Sequence, residues 1–277
     1  MRRRLPPSLL IGGALVALVV VVALLSLVWT PADPYNVVVP DRFQGTSLRH
    51  LLGTDQFGRD ELSRIMAAAR NTLEVGIVTI VIAFVIGVPV GALAAYYRGP
   101  LEEVAMRGAD VLLAFPAILL AMLFAAVFRP STLTAMAAIG IAFVPVFARV
   151  VRGAGLQVME MDYVTAARTF GSRGWWILIR HLLPNVSSVL IVQATIAFAV
   201  AILAEAALSY LGLGTPPPAA SWGRMLSESQ NYLYQAPLLA LWPGIAIALS
   251  VLGFNLLGDG LRDLLDPKLV ERLPAPG

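Results

Sequence analysis

The stretch "DYVTAARTFGSRGWWILIRHLLPN", residues 162–185, is a polar interruption between two long apolar runs of this chain. It contains several charges, a Gly-Ser-Arg-Gly turn and two adjacent tryptophans. The whole chain of 277 residues is 58% hydrophobic and 13% charged, whereas an ordinary soluble domain is roughly 25% charged. So much apolar surface requires lipid, and we therefore interpret the stretch as a connection between membrane spans.

Six apolar runs are long enough to cross a hydrocarbon core of about 30 Å as helices. They cover residues 8–29, 75–97, 111–128, 130–148, 186–204 and 232–258. Arg129-Pro130 separates the third run from the fourth and predicts a tight hairpin, because proline and the residue before it resist continuing a helix. The sequence thus predicts an all-α integral membrane protein with six transmembrane helices.

Small residues and prolines inside the runs indicate how the spans pack. "GVPVG", residues 87–91, has the small-xxx-small spacing that allows close helix packing, although chance explains this match equally well in a chain rich in glycine and alanine. Neighbouring helices or polar groups must satisfy the carbonyls that intramembrane prolines leave free. A packed bundle with kinks is expected at four prolines: Pro89, Pro116, Pro145 and Pro243.

The basic residues predict the orientation of the chain, because cytoplasmic loops carry an excess of Lys and Arg. The side opposite the termini has seven of the twenty basic residues, Arg42, Arg49, Arg59, Arg64, Arg70, Arg129 and Arg224. The first apolar run is also longer than the 7 to 15 residues of a cleaved signal peptide. We expect a retained N-terminal anchor and both termini on the cytoplasmic side. The net charge of +3 is scattered rather than concentrated in a stripe, so nucleic acid is not an expected partner.

These patterns divide the chain into three parts. Residues 1–30 are expected to form the anchor helix with its cytoplasmic tip. Residues 31–72 are expected to form an extracytoplasmic loop with an amphipathic helix on the outer surface, since Leu62, Ile65, Met66 and Ala69 recur at helical spacing. Residues 73–277 are expected to form the core domain, with the polar segment 160–185 on the cytoplasmic side and a second extracytoplasmic loop at 211–231.

The chain lacks the residue patterns of the common membrane enzymes. Its only lysine, Lys268, is not part of a phosphate-binding P-loop, and it has no cysteine. Its two histidines are far apart in sequence, which argues against a metal site. Carboxylates within the spans are limited to Glu205 and, at one edge, Glu74. Glu205 is a candidate intramembrane polar site, although a hydrogen bond to a neighbouring loop explains it equally well.

The opening stretch predicts two short helices joined at a glycine. Residues 162–170 form the first, and Gly171 ends it because glycine tolerates the left-handed conformation of a C-cap. Ser172 is expected to cap the second helix, which Pro184 then ends, with Trp175 and Trp176 at the membrane interface or on the bundle. The small-residue side of the first helix suits docking against a partner protein, while an interfacial helix without a partner is the alternative.

The stretch also resembles a known motif, the EAA loop of the membrane subunits of type I ATP-binding-cassette (ABC) importers. The matching positions are Ala166, Ala167, Gly171, Leu183 and Pro184. Two positions depart from the motif, because Thr165 replaces its glutamate and His181 its isoleucine. As a hypothesis, Asp162 supplies the missing carboxylate. The resemblance implies an ATPase-coupling loop with ten site residues: Asp162, Tyr163, Thr165, Ala166, Ala167, Arg168, Gly171, Arg180, His181 and Pro184.

Three further stretches are similar to dipeptide and oligopeptide permease subunits of the DppC/OppC type: "LGTDQFGRDELSR", "LSYLGLGTPPPAASWGRML" and "FNLLGDGLRDLLDPKL". The family implies a type I importer permease fold in the bacterial cell membrane, working by alternating access without covalent chemistry. It also implies a second homologous permease chain, two ATPase domains and an extracytoplasmic peptide-binding protein. ATP and Mg would be bound by the ATPase partner, and no cofactor is expected in this chain.

Other interpretations remain open at the level of sequence. Importers of nickel chelates, glutathione or haem share this subunit pattern. A proton-coupled secondary carrier would require more buried carboxylates or internal repeats than the sequence contains. A membrane enzyme would require a reactive constellation that no motif provides.

Overall fold

The computed structural model describes residues 5–265, and within them it contains ten α-helices. The first four residues of the expected cytoplasmic tip lie outside the described residues, as do Lys268 and the rest of the last four residues of the "FNLLGDGLRDLLDPKL" stretch. The helices are α1 Pro7–Leu25, α2 Glu61–Tyr97, α3 Pro100–Ala114, α4 Ala117–Phe128, α5 Thr132–Met159, α6 Asp162–Thr169, α7 Gly174–Ile177, α8 Leu183–Tyr210, α9 Trp222–Ser229 and α10 Leu238–Leu265.

Five helical segments are long and apolar enough to cross a membrane, and α3 with α4 form a sixth if the bent pair is counted as one span. The five are α1, α2, α5, α10 and the continuous run from α7 through α8. The six-span prediction is confirmed in this form. The third span is not the straight helix predicted over residues 111–128, because the axis turns by 84° between α3 and α4.

The break in the third span follows from the chemistry of proline. Phe115 precedes Pro116 and has an extended backbone (φ −91°, ψ 127°), the conformation into which a following proline forces its neighbour. By contrast, Pro89, Pro145 and Pro243 each lie inside a helix that continues past them. The last two are buried within the bundle, where close neighbours hold the helix together.

Helix α2 is much longer than the second predicted span. It begins at Glu61, where the Asp60 side chain accepts hydrogen bonds from the Ser63 backbone N–H at 2.8 Å and the Ser63 hydroxyl at 2.7 Å. The prediction of an amphipathic helix lying on the outer surface is therefore wrong, because residues 62–69 form the first turns of α2. The expected domain boundary between residues 72 and 73 falls inside this helix. Its polar side is also buried, since Ser63 and Arg64 have 0% and 2% exposure.

Glycines bring α2 and α5 into backbone contact. A Cβ atom at Gly87 would lie 2.6 Å from the Val144 carbonyl oxygen, and one at Gly91 would overlap the Ala148 carbonyl. No side chain fits in either place, so the small-xxx-small spacing of residues 87–91 serves helix packing. Between the two explanations that the sequence left open for this spacing, close packing is confirmed.

Helix α1 is held to α10 in the same way and has few other neighbours. A Cβ atom at Gly12 would overlap the backbone of Leu257, and one at Gly260 would overlap the backbone of Leu9. Most other side chains of α1 are exposed or only partly buried, and only Gly12, Val19 and Ala23 are buried. The anchor helix therefore lies on the edge of the bundle, with its attachment concentrated on one side.

We expect Gly91→Val to separate α2 from α5, because overpacking a tight contact costs about 1–3 kcal/mol. The variant should show a lower melting temperature and a lower yield of monodisperse protein in detergent size-exclusion chromatography. Gly108→Val on α3 is the matched control, since nothing lies within 4 Å of the position of its Cβ atom. Equal losses in the two variants would show that helix propensity, rather than packing, sets the cost.

Candidate functional site

The predicted coupling segment, residues 160–185, begins where α5 ends. Helix α5 has 28 residues, which at 1.5 Å per residue is about 42 Å and exceeds the hydrocarbon thickness of about 30 Å. The segment turns through the short helices α6 and α7 and then enters α8. It is thus carried on the ends of two long helices of the bundle.

One buried side chain in each short helix attaches the segment to the bundle. Val164 of α6 and Ile177 of α7 both have 0% exposure. They belong to one apolar cluster with Val158 and Met159 of α5 and with Leu182. Because well-packed apolar side chains have little freedom to shift, α6 and α7 are firmly seated on the long helices.

Tyr96, near the end of α2, forms a second attachment. The Arg168 guanidinium lies over the Tyr96 ring at 5.1 Å from its centroid and also donates to the Met159 sulfur at 3.2 Å. A Cβ atom at Gly174 would approach the Tyr96 hydroxyl to 2.8 Å, so any other residue there would force the Tyr96 ring to shift. Tyr96 and Gly174 were not predicted from the sequence, since no local pattern connects residues on separate helices.

The turn between α6 and α7 has the predicted glycine cap. Gly171 has φ +79°, its N–H donates to the Arg168 carbonyl, and the Ser172 N–H donates to the Ala167 carbonyl, both at 3.0 Å. These two bonds define a Schellman motif. Nothing lies within 4 Å of the position of a Cβ atom at Gly171, so the backbone conformation, and not a shortage of space, requires glycine there.

Two predicted details of this segment are wrong. Ser172 does not cap α7, because the residue before its first turn is Arg173 and no side chain caps it. Pro184 does not end a helix, because a π-helical turn, Leu178–Leu182, continues directly into α8. Such a wide turn relieves the clash between a proline ring and the carbonyl four residues earlier, and the Asn185 side chain donates to the His181 carbonyl at 2.6 Å.

Most residues predicted for the coupling loop are exposed on the surface of the segment. Two of the predicted residues, Ala167 and His181, are half-buried. The ring centroids of His181 and Tyr163 are 5.6 Å apart. Phe170, which the sequence analysis did not select, is 90% exposed on the turn before Gly171. The exposed predicted residues are Asp162, Tyr163, Thr165, Ala166, Arg168, Gly171, Arg180 and Pro184.

The exposed side chains of the segment include large apolar groups. Phe170, Trp175 and Trp176 are 90%, 55% and 46% exposed, and aromatic residues are enriched in protein–protein interfaces. Asp162 lies in the first turn of α6, where a carboxylate is favoured by the helix dipole. The segment therefore combines a rigid base with an exposed aromatic surface.

At the other end of the bundle, Glu205 of α8 is hydrogen-bonded to a loop, which is one of the two explanations considered from the sequence. It is 1% exposed, and its Oε1 accepts from the Ser209 hydroxyl at 2.7 Å and the Ser221 hydroxyl at 2.8 Å. The Ser209 hydroxyl in turn accepts from the Thr215 N–H at 3.0 Å. Glu205 thus fixes the loop after α8 to the bundle.

A buried charge cluster joins the two loops at this same end. Asp55 accepts from Arg59 Nε at 2.6 Å and also pairs with Arg64. Glu228 of α9 accepts from Arg59 at 2.9 Å and from Arg64 at 3.0 Å. Burial alone would raise the pKa of Glu228, but the positive charges of Arg64 and Arg59 outweigh it and lower that pKa.

This outer charge cluster, residues Asp55, Arg59, Arg64 and Glu228, is a structural connection between residues 53–64 and α9. From the sequence, Arg59 and Arg64 were assigned only to the side of the membrane opposite the termini, and Glu228 was not selected. No group of three or more acidic or histidine side chains within residues 5–265 is placed to hold a metal ion. The cluster is instead made of paired opposite charges.

Solved structures with the same arrangement of helices identify the class. An inward-facing structure of the MetNI methionine ABC transporter has a chain that superposes with a TM-score of 0.61, covering 73% of this chain and 96% of that one. The two sequences are 20% identical, so the likeness shows the fold alone. The chain has the permease fold of type I ABC importers.

A family model for "binding-protein-dependent transport system inner membrane component" matches residues 87–271, and the chain belongs to this family. It is 45% identical to a Brucella suis protein whose name includes the words peptide transport system permease, over 97% of this chain and 90% of that one. It is 40% identical to the dipeptide transport system permease DppC of Alkalihalophilus pseudofirmus, over 94% and 86% of the two chains. The glutathione transport system permease GsiD of Pectobacterium atrosepticum is 42% identical, over 93% and 86%.

The family establishes the general role of the chain. It is a multi-pass membrane protein and a non-catalytic permease subunit of an ABC transporter, a class that works with ATPase subunits. Its polar and charged residues therefore serve packing, coupling or passage of a solute rather than covalent chemistry.

Removing the carboxylate of Glu228 should destabilise the protein in a pH-dependent way. We expect Glu228→Gln to melt below the wild type at pH 7, with the difference shrinking as the pH falls below about 4.3, the pKa of an unperturbed glutamate. A lowered folded-state pKa stabilises the fold above the unfolded-state pKa, and this stability is lost as the pH falls through the folded-state value. Melting curves in detergent between pH 7 and pH 3 measure the difference.

Glu103→Gln provides the control, since Glu103 pairs with Arg107 on an exposed helix surface and such pairs contribute little. A melting difference for Glu228→Gln that stays constant across this pH range would contradict the assigned role of the carboxylate.

Proposed function

We propose that the chain is one of two permease subunits of an ATP-driven importer of dipeptides and oligopeptides. The observation that carries the proposal is similarity to peptide permeases along nearly the whole length of this chain. Alternating access would then open a path between the two permease subunits first to the outside and then to the cytoplasm. The chain itself would perform no covalent step.

In this proposal, residues 160–185 receive the movement of the ATPase. The exposed aromatic side chains of the segment would contact the ATPase, and Asp162 would supply the carboxylate that the motif lacks at Thr165. Movement of α6 would pass through Val164 to the end of α5 and through the Arg168–Tyr96 contact to α2. The tight packing of α2 against α5 supports transmission as a rigid body.

The partners follow from the same proposal. The second permease would be a homologous chain in a heterodimer, and two ATPase domains would bind ATP and Mg, so this chain needs no cofactor. A peptide-binding protein would deliver its cargo to the extracytoplasmic side. Both termini would lie in the cytoplasm of a bacterial cell, an orientation that the unequal distribution of basic residues supports.

A glutathione importer is the second candidate, because a glutathione permease is 42% identical to this chain. Glutathione is itself a tripeptide, so the two candidates differ in cargo and not in mechanism. The binding protein is expected to decide between them.

Two measurements test the assignment. Purification of the tagged chain from its native membrane in mild detergent should recover a second multi-span chain and P-loop ATPases, identified by mass spectrometry. Cells lacking the chain should lose uptake of radiolabelled di- and tripeptides, and excess unlabelled peptide should compete with uptake in wild-type cells. A chain that reproducibly purifies alone argues against an importer, while competition by glutathione and not by other peptides selects the second candidate.

The Gly171 turn gives a sharper test of coupling. Gly171→Val should abolish uptake while the protein remains in the membrane, because a left-handed backbone costs a residue with a side chain about 1–2 kcal/mol and a β-branched residue is especially poor there. Gly171→Asn is the matched variant, since asparagine is accepted at this C-cap position, and it should retain most uptake. Wild-type uptake by Gly171→Val would remove the basis for a coupling role.

A further inference from the structure

An apolar groove runs between α1 and α2 and is open on the surface of the bundle. Its volume is about 490 Å³, and its walls include Val20 and Leu24 from α1 and Leu73 and Ile77 from α2. This volume falls within the range of about 300–1,000 Å³ typical of pockets for small ligands. An apolar groove at the depth of a membrane span is filled by a lipid chain or by another protein.

The groove exists because of how its two helices are held. Glycine contacts fix α1 to α10, as described above, while towards α2 the Val19 and Ala23 side chains of α1 share an apolar cluster with Ala68 and Ala69, and the groove lies beside this contact. On α2, Gly76 has no side chain, and the Phe198 ring lies against it, so that a Cβ atom there would come within 2.5 Å of ring carbon Cε1. Phe198 stacks on Phe254 with ring centroids 4.1 Å apart. The two rings contribute to the groove lining and are packed against each other.

A pair of opposite charges lies at one end of the groove. Arg70 and Glu74 of α2 are both exposed and both line the groove. They are four residues apart, so their side chains are neighbours on the helix surface, yet neither forms an ion pair with any residue in the described part of the chain. Trp29, 56% exposed just after α1, is a residue type that prefers the level of the lipid headgroups.

We propose that the groove binds one phospholipid with a zwitterionic phosphoethanolamine headgroup, from the leaflet at the N-terminal end of α2. Its phosphate would pair with Arg70, its ammonium group with Glu74, and one acyl chain would lie along the apolar walls. This site does not depend on the cargo of the transporter or on its ATPase partner.

The charges favour this occupant over two others. An anionic phospholipid without an ammonium group would satisfy Arg70 but place its phosphate beside the Glu74 carboxylate, and like charges repel at this distance. An apolar helix of the partner permease would cover the groove but offer neither charge a partner outside α2, and covering a charged pair is costly near hydrocarbon. A headgroup with both charges matches the pair, and of the zwitterionic headgroups phosphoethanolamine has ammonium N–H groups that can donate to the Glu74 carboxylate, whereas phosphocholine has none.

The experiment measures lipid retained by the purified protein. The tagged chain, with whatever subunits co-purify, is stripped of lipid in detergent and incubated with equal amounts of phosphatidylethanolamine, phosphatidylcholine and phosphatidylglycerol. Native mass spectrometry then counts the bound molecules. Wild-type protein should retain phosphatidylethanolamine at least about threefold better than phosphatidylglycerol, the order of preference expected for partly exposed charge contacts.

Three variants locate the site. R70Q/E74Q should lose the preference, and Val20→Trp, which fills the groove, should lose the retained lipid. E103Q/R107Q, an exposed pair with the same spacing on α3, should behave as the wild type. Size-exclusion profiles identify any variant that fails to fold, and the two groove variants are independent of each other.

Several results would overturn the proposal. Equal retention of phosphatidylethanolamine and phosphatidylglycerol by the wild type would remove the headgroup assignment, as would an unchanged preference in R70Q/E74Q. Crosslinking of a cysteine placed at Val20 to a second permease chain would assign the groove to a subunit interface. Loss of peptide uptake, or its absence in the wild type, has no bearing on this measurement, so the lipid site and the proposed function fail separately.

Discussion

The backbone contact between α2 and α5 is the constraint on which the rest of the structure depends. Because Gly87 and Gly91 carry no side chain, the two helices meet at their backbones and form a rigid pair. Helix α2 has 37 residues, about 55 Å at 1.5 Å per residue, and thus extends well past a hydrocarbon core. Its two ends reach the two polar regions of the molecule, the outer charge cluster at Arg64 and the coupling segment at Tyr96.

This arrangement explains why polar residues are rare and yet placed in groups. The transport role leaves this chain no covalent chemistry, and the buried charges of the outer charge cluster connect separate elements. The outer charge cluster and the Glu205 network fix the loops to α2 and α8. The Arg168–Tyr96 contact fixes α6 to α2. In the proposed transport cycle, the coupling segment and the outer loops would therefore move together with the bundle as one unit.

Local patterns made part of this structure predictable from the sequence. The length of the apolar runs predicted the spans, and Gly171 predicted the turn between α6 and α7. The spacing of Gly87 and Gly91 was consistent with the contact between α2 and α5. The failures involve interactions that depend on distant residues or on unusual helix geometry. The burial of Arg64 at the start of α2 could not be predicted because its partner Glu228 lies 164 residues later, and Pro184 was misread because a π-helical turn accommodates it.

The same sequence separation has a consequence for the biogenesis of the protein. Arg59 and Arg64 are synthesised early. Glu228 lies 169 residues after Arg59 and 164 residues after Arg64, so it is synthesised after five of the six spans have been made. Until then, Asp55 is the only member of the cluster available to balance the two arginines. The nascent chain consequently cannot complete the outer charge cluster before its fifth span has been made, so the two outer loops become joined late in the assembly of the subunit.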